Sequence, residues 1–208
     1  CRNIRRKPLA SLVDILGKKL AEDEVTFQGS PAKGRSGISG LALNQFSRRY
    51  IFHLLARLTA FTEANSGRSD SFDKYVDREA KNPFDIEHIW AADSTGQPGV
   101  FDNPQEFHDW RNHVASLLLL PADVNRSLQD KPFAEKAGHY AKQNFYAASL
   151  SPATYQHQPQ FEAFRTGRKL PFKPYASFGK PEQQERRELV RHLADLIWSP
   201  DRVKEFVP

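Results

Sequence analysis

The run Val114-Ala-Ser-Leu-Leu-Leu-Leu120, closed by Pro121, carries no charge. It reads as a strand buried on both faces or as the central strand of a hairpin, so the rest of the chain has to cover it. The other stretch of strand character is Phe84-Asp-Ile-Glu-His-Ile-Trp90, which Pro83 cuts off from any helix before it. Almost everything else has helical spacing. The expected fold is therefore mainly α, of the α+β class, with a small two-stranded insert.

The chemistry-bearing residues gather on that insert. Glu87 and His88 sit together at the end of the first strand, and Asn125 follows just past the second. A carboxylate and an amide oxygen suit a hard divalent cation, Mg2+ or Mn2+, while an imidazole with an ordinary pKa near 6.5 accepts a proton from water. That set fits a one-metal phosphodiesterase. Strand neighbours point to opposite faces, so Glu87 and His88 converge only if the chain leaves regular strand geometry there. Asp85, on the face of Glu87, is the alternative metal ligand or a partner behind it. Asn125 also has the composition of a helix N-cap. His108, Asn112 and His113 lie near the site in sequence; His113 is a ligand only in a variant geometry, and a surface role is the preferred reading.

The order Glu87-His88, then Ser116, then Asn125 resembles the HNH, or ββα-metal, nucleases. More closely, Ile86-Glu-His-Ile89, the four-leucine strand and Asn125-Arg-Ser-Leu-Gln-Asp-Lys-Pro-Phe-Ala-Glu-Lys136 resemble the His-Ile-x-Pro branch. That branch forms the C-terminal nuclease domain of GmrSD-type modification-dependent restriction proteins and of phosphorothioate-sensing Ssp-type defence proteins. The closing segment Glu185–Trp198 is similar to that family's last helix. The resemblance implies a metal-dependent endonuclease acting on DNA, with His88 as base, Glu87 or Asp85 and Asn125 on the metal, and Ser116 bracing the loop around the base. It also implies that Lys136 meets substrate phosphate, although a solvated lysine reads almost as well. An N-terminal NTPase and modification sensor is the implied partner, in defence against phage. Two departures stand out: Ala91 replaces the branch's proline, and Ser116 replaces its usual asparagine.

The expected layout is a single nuclease domain over 1–208, with a helical scaffold at 1–80 and 133–208 around a core at about 84–136. In the scaffold, Lys7–Ala21 places Leu9, Leu12, Val13, Leu16 and Leu20 at helical spacing. Leu43–Ala64 does the same with Tyr50, Ile51, Leu54, Leu55, Leu58 and Phe61, capped by Asn44 or Ser47. Arg48, Arg49 and Arg57 fall mostly off that stripe and read as a solvated face. Further helices are expected near Phe72–Arg78, from Pro104 behind an Asn103 cap to about Arg111, at Pro132–Ala147 and at Pro181–Trp198. Gln28–Gly40 and Asp93–Asn103 read as Gly-rich or turn-rich loops. Ser151–Gly179 is the least regular stretch. Its aromatics alternate with Arg165, Arg168, Lys169 and Lys173, a pattern suited to base stacking with backbone contact, or to a loop pinned down by its rings.

Composition narrows the function classes. Thirty Lys and Arg against 25 Asp and Glu give a formal charge of +5 and a pI near 9.3, which favours a polyanionic partner. A single cysteine, Cys1, excludes an internal disulfide and a Cys-rich zinc site and suits a reducing compartment. No apolar run approaches the roughly 20 residues of a membrane span, so the reading is cytoplasmic. The start at Cys1 suggests a C-terminal piece of a longer protein. Two rival readings stay open: a DNA-binding module that has lost catalysis, and a helical domain regulating a partner enzyme.

Overall fold

The computed structural model describes residues 5–22, 37–69, 72–92, 100–199, 202 and 205. Most of the expected Gln28–Gly40 and Asp93–Asn103 loops, and Cys1, lie outside the described residues. The elements run α1 (Leu9–Glu22), α2 (Arg48–Asn65), α3 (Phe72–Val76), β1 (Phe84–His88), α4 (Pro104–Asn112), β2 (Leu117–Pro121), α5 (Ala122–Leu128), α6 (Phe133–Tyr140), α7 (Phe145–Ala148), α8 (Pro159–Gly167) and α9 (Lys180–Trp198). The fold is mainly α with one small antiparallel sheet, as expected. Among the described residues no helix is long and apolar enough to cross a membrane.

β1 and β2 pair from Phe84 opposite Pro121 to His88 opposite Leu117. α5 leaves β2 directly and packs on both strands. All four leucines of β2 are fully buried, because α2 and α7 also lie on the strand. The apolar run is shorter as a strand than its composition suggests. Val114–Ser116 coils into a 3-10 turn, closed by Ser116 N donating to His113 O at 2.8 Å. The ladder nevertheless continues past β1, since Ile89 N donates to Ser116 O at 2.9 Å. Asn103 caps α4 through Glu106 N, with Pro104 in the first turn, as its sequence indicates.

Two helical expectations change. The stretch Pro132–Ala147 is two helices, because Asn144 starts a new one. Its Oδ1 accepts from Ala147 N, while its Nδ2 donates to Leu119 O in β2. That side chain serves helix start and sheet together, and the break follows. Within the irregular Ser151–Gly179 stretch, Pro159 opens the helix α8. The rings there are buried: Phe161, Phe164, Phe172 and Phe178 all sit in the core, Phe161 stacked on Phe145. Of the two readings of that stretch, the structure takes the loop pinned by its rings.

His113 corrects a surface expectation. It is 6% exposed, and its Nδ1 accepts from Ala115 N at 3.1 Å. Burial and the charge of Arg187 push its pKa down to about 3, against an ordinary value near 6.5. Between those values the unfolded chain takes up a proton that the folded chain refuses, so stability is lost as pH falls through that window. Urea titrations should show the unfolding free energy of the wild type declining from about pH 6.5 toward 4. His113→Leu should flatten part of that slope; an unchanged slope would show that the ring does not titrate as its burial requires.

Candidate active site

Of the side chains singled out by sequence, Glu87, His88, Asn125 and Lys136 meet at a cavity of about 290 Å3, which Arg111, Gln129 and Asp130 also line; Asp85 and Ser116 do not reach it. β1 brings Glu87 and His88, and α5 brings Asn125. Both adjacent strand residues line the cavity, Glu87 turned to Lys136 and Tyr140 and His88 to Asn112. α5 ends at Gln129, whose φ of +35° is a region non-glycine residues seldom adopt. That turn brings Gln129 and Asp130 to the cavity.

Glu87 is 4% exposed, and its Oε1 accepts from Lys136 Nζ at 2.8 Å and from Tyr140 OH at 2.9 Å. Burial pushes its carboxyl above the ordinary range, and Lys136 and Tyr140 pull it back. Lys136 also donates to His88 O at 2.9 Å and is 1% exposed. It is therefore neither solvated nor extended toward bulk solvent. It stands on the stripe of Phe133, Ala137 and Tyr140 along α6, and a lysine on an apolar stripe is the sequence signal for a buried ion pair.

His88 Nε2 lies 3.0 Å from Asn112 Oδ1. An amide oxygen only accepts, so Nε2 carries the imidazole proton and Nδ1 is left as the ring's basic atom. Burial, then the charge of Arg111, lowers the pKa of His88 to about 4, so the ring is neutral at pH 7. The residue bracing the imidazole is thus Asn112 at the end of α4. Ser116, the sequence candidate for that task, is fully buried and donates its hydroxyl to Trp110 O at 2.9 Å. Its link to the His88 segment is the backbone bond from Ile89 N to Ser116 O.

Asn125 sits in the second turn of α5, with Pro121 rather than itself at the N-cap. Its Nδ2 donates to Ile86 O at 3.1 Å, which fixes the amide against the sheet and leaves Oδ1 without a protein donor among the described residues. Asp85 does not line the cavity; its carboxylate lies 3.4 Å from Arg78 on the surface. Among the described residues no three His, Cys, Asp or Glu side chains cluster as a metal cage. Glu87, Asn125, Gln129 and Asp130 are the oxygen-bearing amide and carboxylate side chains that line the cavity, Asp130 with its Oδ1 accepting from Ala92 N; Glu87 and Asn125 are the two that the sequence singles out. Two oxygens beside open cavity volume fit Mg2+ or Mn2+, which keep several waters, better than a metal needing a full protein cage.

Arg111 is a cavity-lining residue that the sequence reading did not single out. Its Nε donates to Trp90 O at 3.2 Å and Ala91 O at 3.1 Å, and its terminal nitrogens take no acceptor among the described residues. Its position one residue beyond Trp110, in the last turn before the apolar run, was the available signal.

Comparison with known proteins identifies the family. Residues 38–158 match the family described as GmrSD restriction endonucleases, C-terminal domain. Neither the comparison with curated proteins nor that with solved structures gives a match. The match takes in more than half of the chain and contains both strands, α5, α6 and every residue lining the cavity, and on that ground the chain belongs to the family of GmrSD restriction endonuclease C-terminal domains.

Proposed function

We propose that this chain is a metal-dependent HNH-type endonuclease that hydrolyses or nicks DNA as the effector of a restriction system. The observation that carries the reading is the convergence on one cavity of a neutral, amide-braced histidine, an inward-facing carboxylate and a sheet-anchored asparagine. His88 Nδ1 takes a proton from water as the water oxygen attacks phosphorus. The P–O3′ bond breaks, and the departing 3′ oxygen takes a proton from solvent. Glu87 and Asn125 would hold a divalent cation, Mg2+ or Mn2+, which when bound supplies positive charge to the phosphate and the leaving oxygen. In full-length relatives an N-terminal NTPase and modification sensor would govern this activity, in the cytoplasm where foreign DNA enters.

Arg111 supplies fixed positive charge from the protein itself. Its Nε is tied to two carbonyls, so the fork is oriented before substrate arrives and suits two phosphate oxygens. Arg111→Gln should lower cleavage by about 10²-fold without a comparable loss of thermal stability. A loss under threefold in steady-state cleavage would remove the guanidinium from the reaction.

Conversion of supercoiled plasmid to open-circle or linear product, with Mg2+ or Mn2+ beside an EDTA control, tests the function. Metal-dependent product is expected. An inert chain with intact DNA binding would favour the module that has lost catalysis, and an absence of salt-sensitive DNA binding would favour the regulatory domain.

A further inference from the structure

The rings of the 151–179 stretch are buried, yet two aromatics elsewhere are not: Phe46 is 80% exposed and Tyr50 72%. Hydrogen bonds from Arg48 N to Asn44 O and from Ile51 N to Ser47 O carry helical geometry back over the turn that opens α2. Phe46 and Tyr50, four residues apart, therefore share one face. Arg49 is exposed beside that face, and Arg48, also exposed, lies across the helix from it.

This turn is firmly held beside the cavity. Leu43 N donates to Asn112 O at 2.7 Å, Val114 N donates to Leu41 O at 2.8 Å, and Ala42 forms a bridge with His113. Asn44 Oδ1 accepts from the backbone N–H groups of Phe46 and Ser47, and Ser47 Oγ donates to Ala42 O at 2.7 Å. The residue that receives Leu43 is Asn112, whose side chain braces His88. Arg48 is near enough for its charge to be felt at the imidazole.

We propose that Phe46 and Tyr50, with Arg48 and Arg49, form a ledge that grips the DNA strand next to the cleavage cavity, rings against bases and guanidiniums against phosphates. The proposal rests on the nuclease reading above and adds to it the surface that receives the substrate. Two large exposed rings flanked by Arg49, with Arg48 across the helix on the way to the cavity, match the pairing of stacking platform and charged groove that single or unpaired strands bind. A solvated face explains the arginines but leaves the rings without a purpose.

The test uses the His88→Ala chain, so that nothing is cut, and a fluorescently labelled DNA duplex with a central unpaired bulge, followed by anisotropy across a salt series. Phe46→Ala with Tyr50→Ala should weaken binding about tenfold or more. Arg48→Gln with Arg49→Gln should lower the salt slope by about 1–2. All four side chains are exposed, so melting temperatures should match the parent and folding is not in question. Unchanged affinity and slope, in a chain whose wild type cuts plasmid, overturns the ledge alone. Unchanged DNA binding with a drop from oligomer to monomer in sedimentation also overturns it and makes the occupant a second copy. A parent that neither binds nor cuts DNA overturns the ledge and the nuclease reading together.

Discussion

Lys136→Met should lower the unfolding free energy by about 3–5 kcal/mol, the usual cost of removing one partner from a buried ion pair. For a chain of this length that corresponds to a fall in melting temperature of about 6–20 °C. The ammonium is 1% exposed and the carboxylate of Glu87 4%, so neither end finds water in compensation, and without Lys136 only the Tyr140 hydroxyl still donates to Glu87. The sign of the pH dependence follows. Loss of the ammonium raises the carboxyl of Glu87 further, and a carboxyl raised above its unfolded value is a source of stability that disappears as pH rises. The variant's deficit should therefore be smaller near pH 5 than at pH 8. The double variant Glu87→Leu, Lys136→Met separates fold from site. Replacing both charges by apolar groups recovers much of the stability, yet it removes the carboxylate from the cavity and should leave cleavage abolished. A melting temperature within about 2 °C of wild type for Lys136→Met, read against the same scale, would mean the pair is not the buried clamp seen here.

That pair shows where sequence reading reached and where it stopped. Period and composition locate the strands and most helices, since the β2 leucines and the α2 stripe announce their burial in one dimension. They also bring Glu87, His88 and Asn125 to one place, because strand ends and the start of the next helix are neighbours in any ββα arrangement. What they do not determine is the direction of a side chain whose partner is far along the chain. Lys136 meets Glu87 across 49 positions, and nothing local to either residue specifies that meeting. Asn112 and Ser116 exchange roles for a related reason. The 3-10 turn at Val114–Ser116 rotates the serine toward Trp110, whereas regular strand geometry through that segment would have presented it differently. The helix α8 was hidden among the prolines of the 151–179 stretch, one of which, Pro159, serves as its start.

His88→Ala should reduce plasmid cleavage by about 10²–10⁴-fold, the range in which a positioned general base contributes, with little change in melting temperature because the ring is only partly buried. The more discriminating variants lie at Asn112. In the wild type the amide oxygen holds the proton on Nε2 and so assigns the lone pair to Nδ1. Asn112→Leu frees the ring to adopt the other tautomer and rotate, and should cost about 10–100-fold, the effect typical of an orienting partner. Asn112→Asp keeps an acceptor in place and adds a negative charge that favours the imidazolium. It should retain the orientation but raise the pKa of His88 from about 4, so that the ring titrates at higher pH in the metal-free chain, as followed by NMR of the imidazole protons. Ser116→Ala removes only a hydroxyl already committed to Trp110 O and should leave the His88 titration where it was. If Ser116→Ala moved that titration and Asn112→Leu did not, the bracing of the base would belong to the serine, and the hydrogen bond from His88 to the end of α4 would have no part in setting its tautomer.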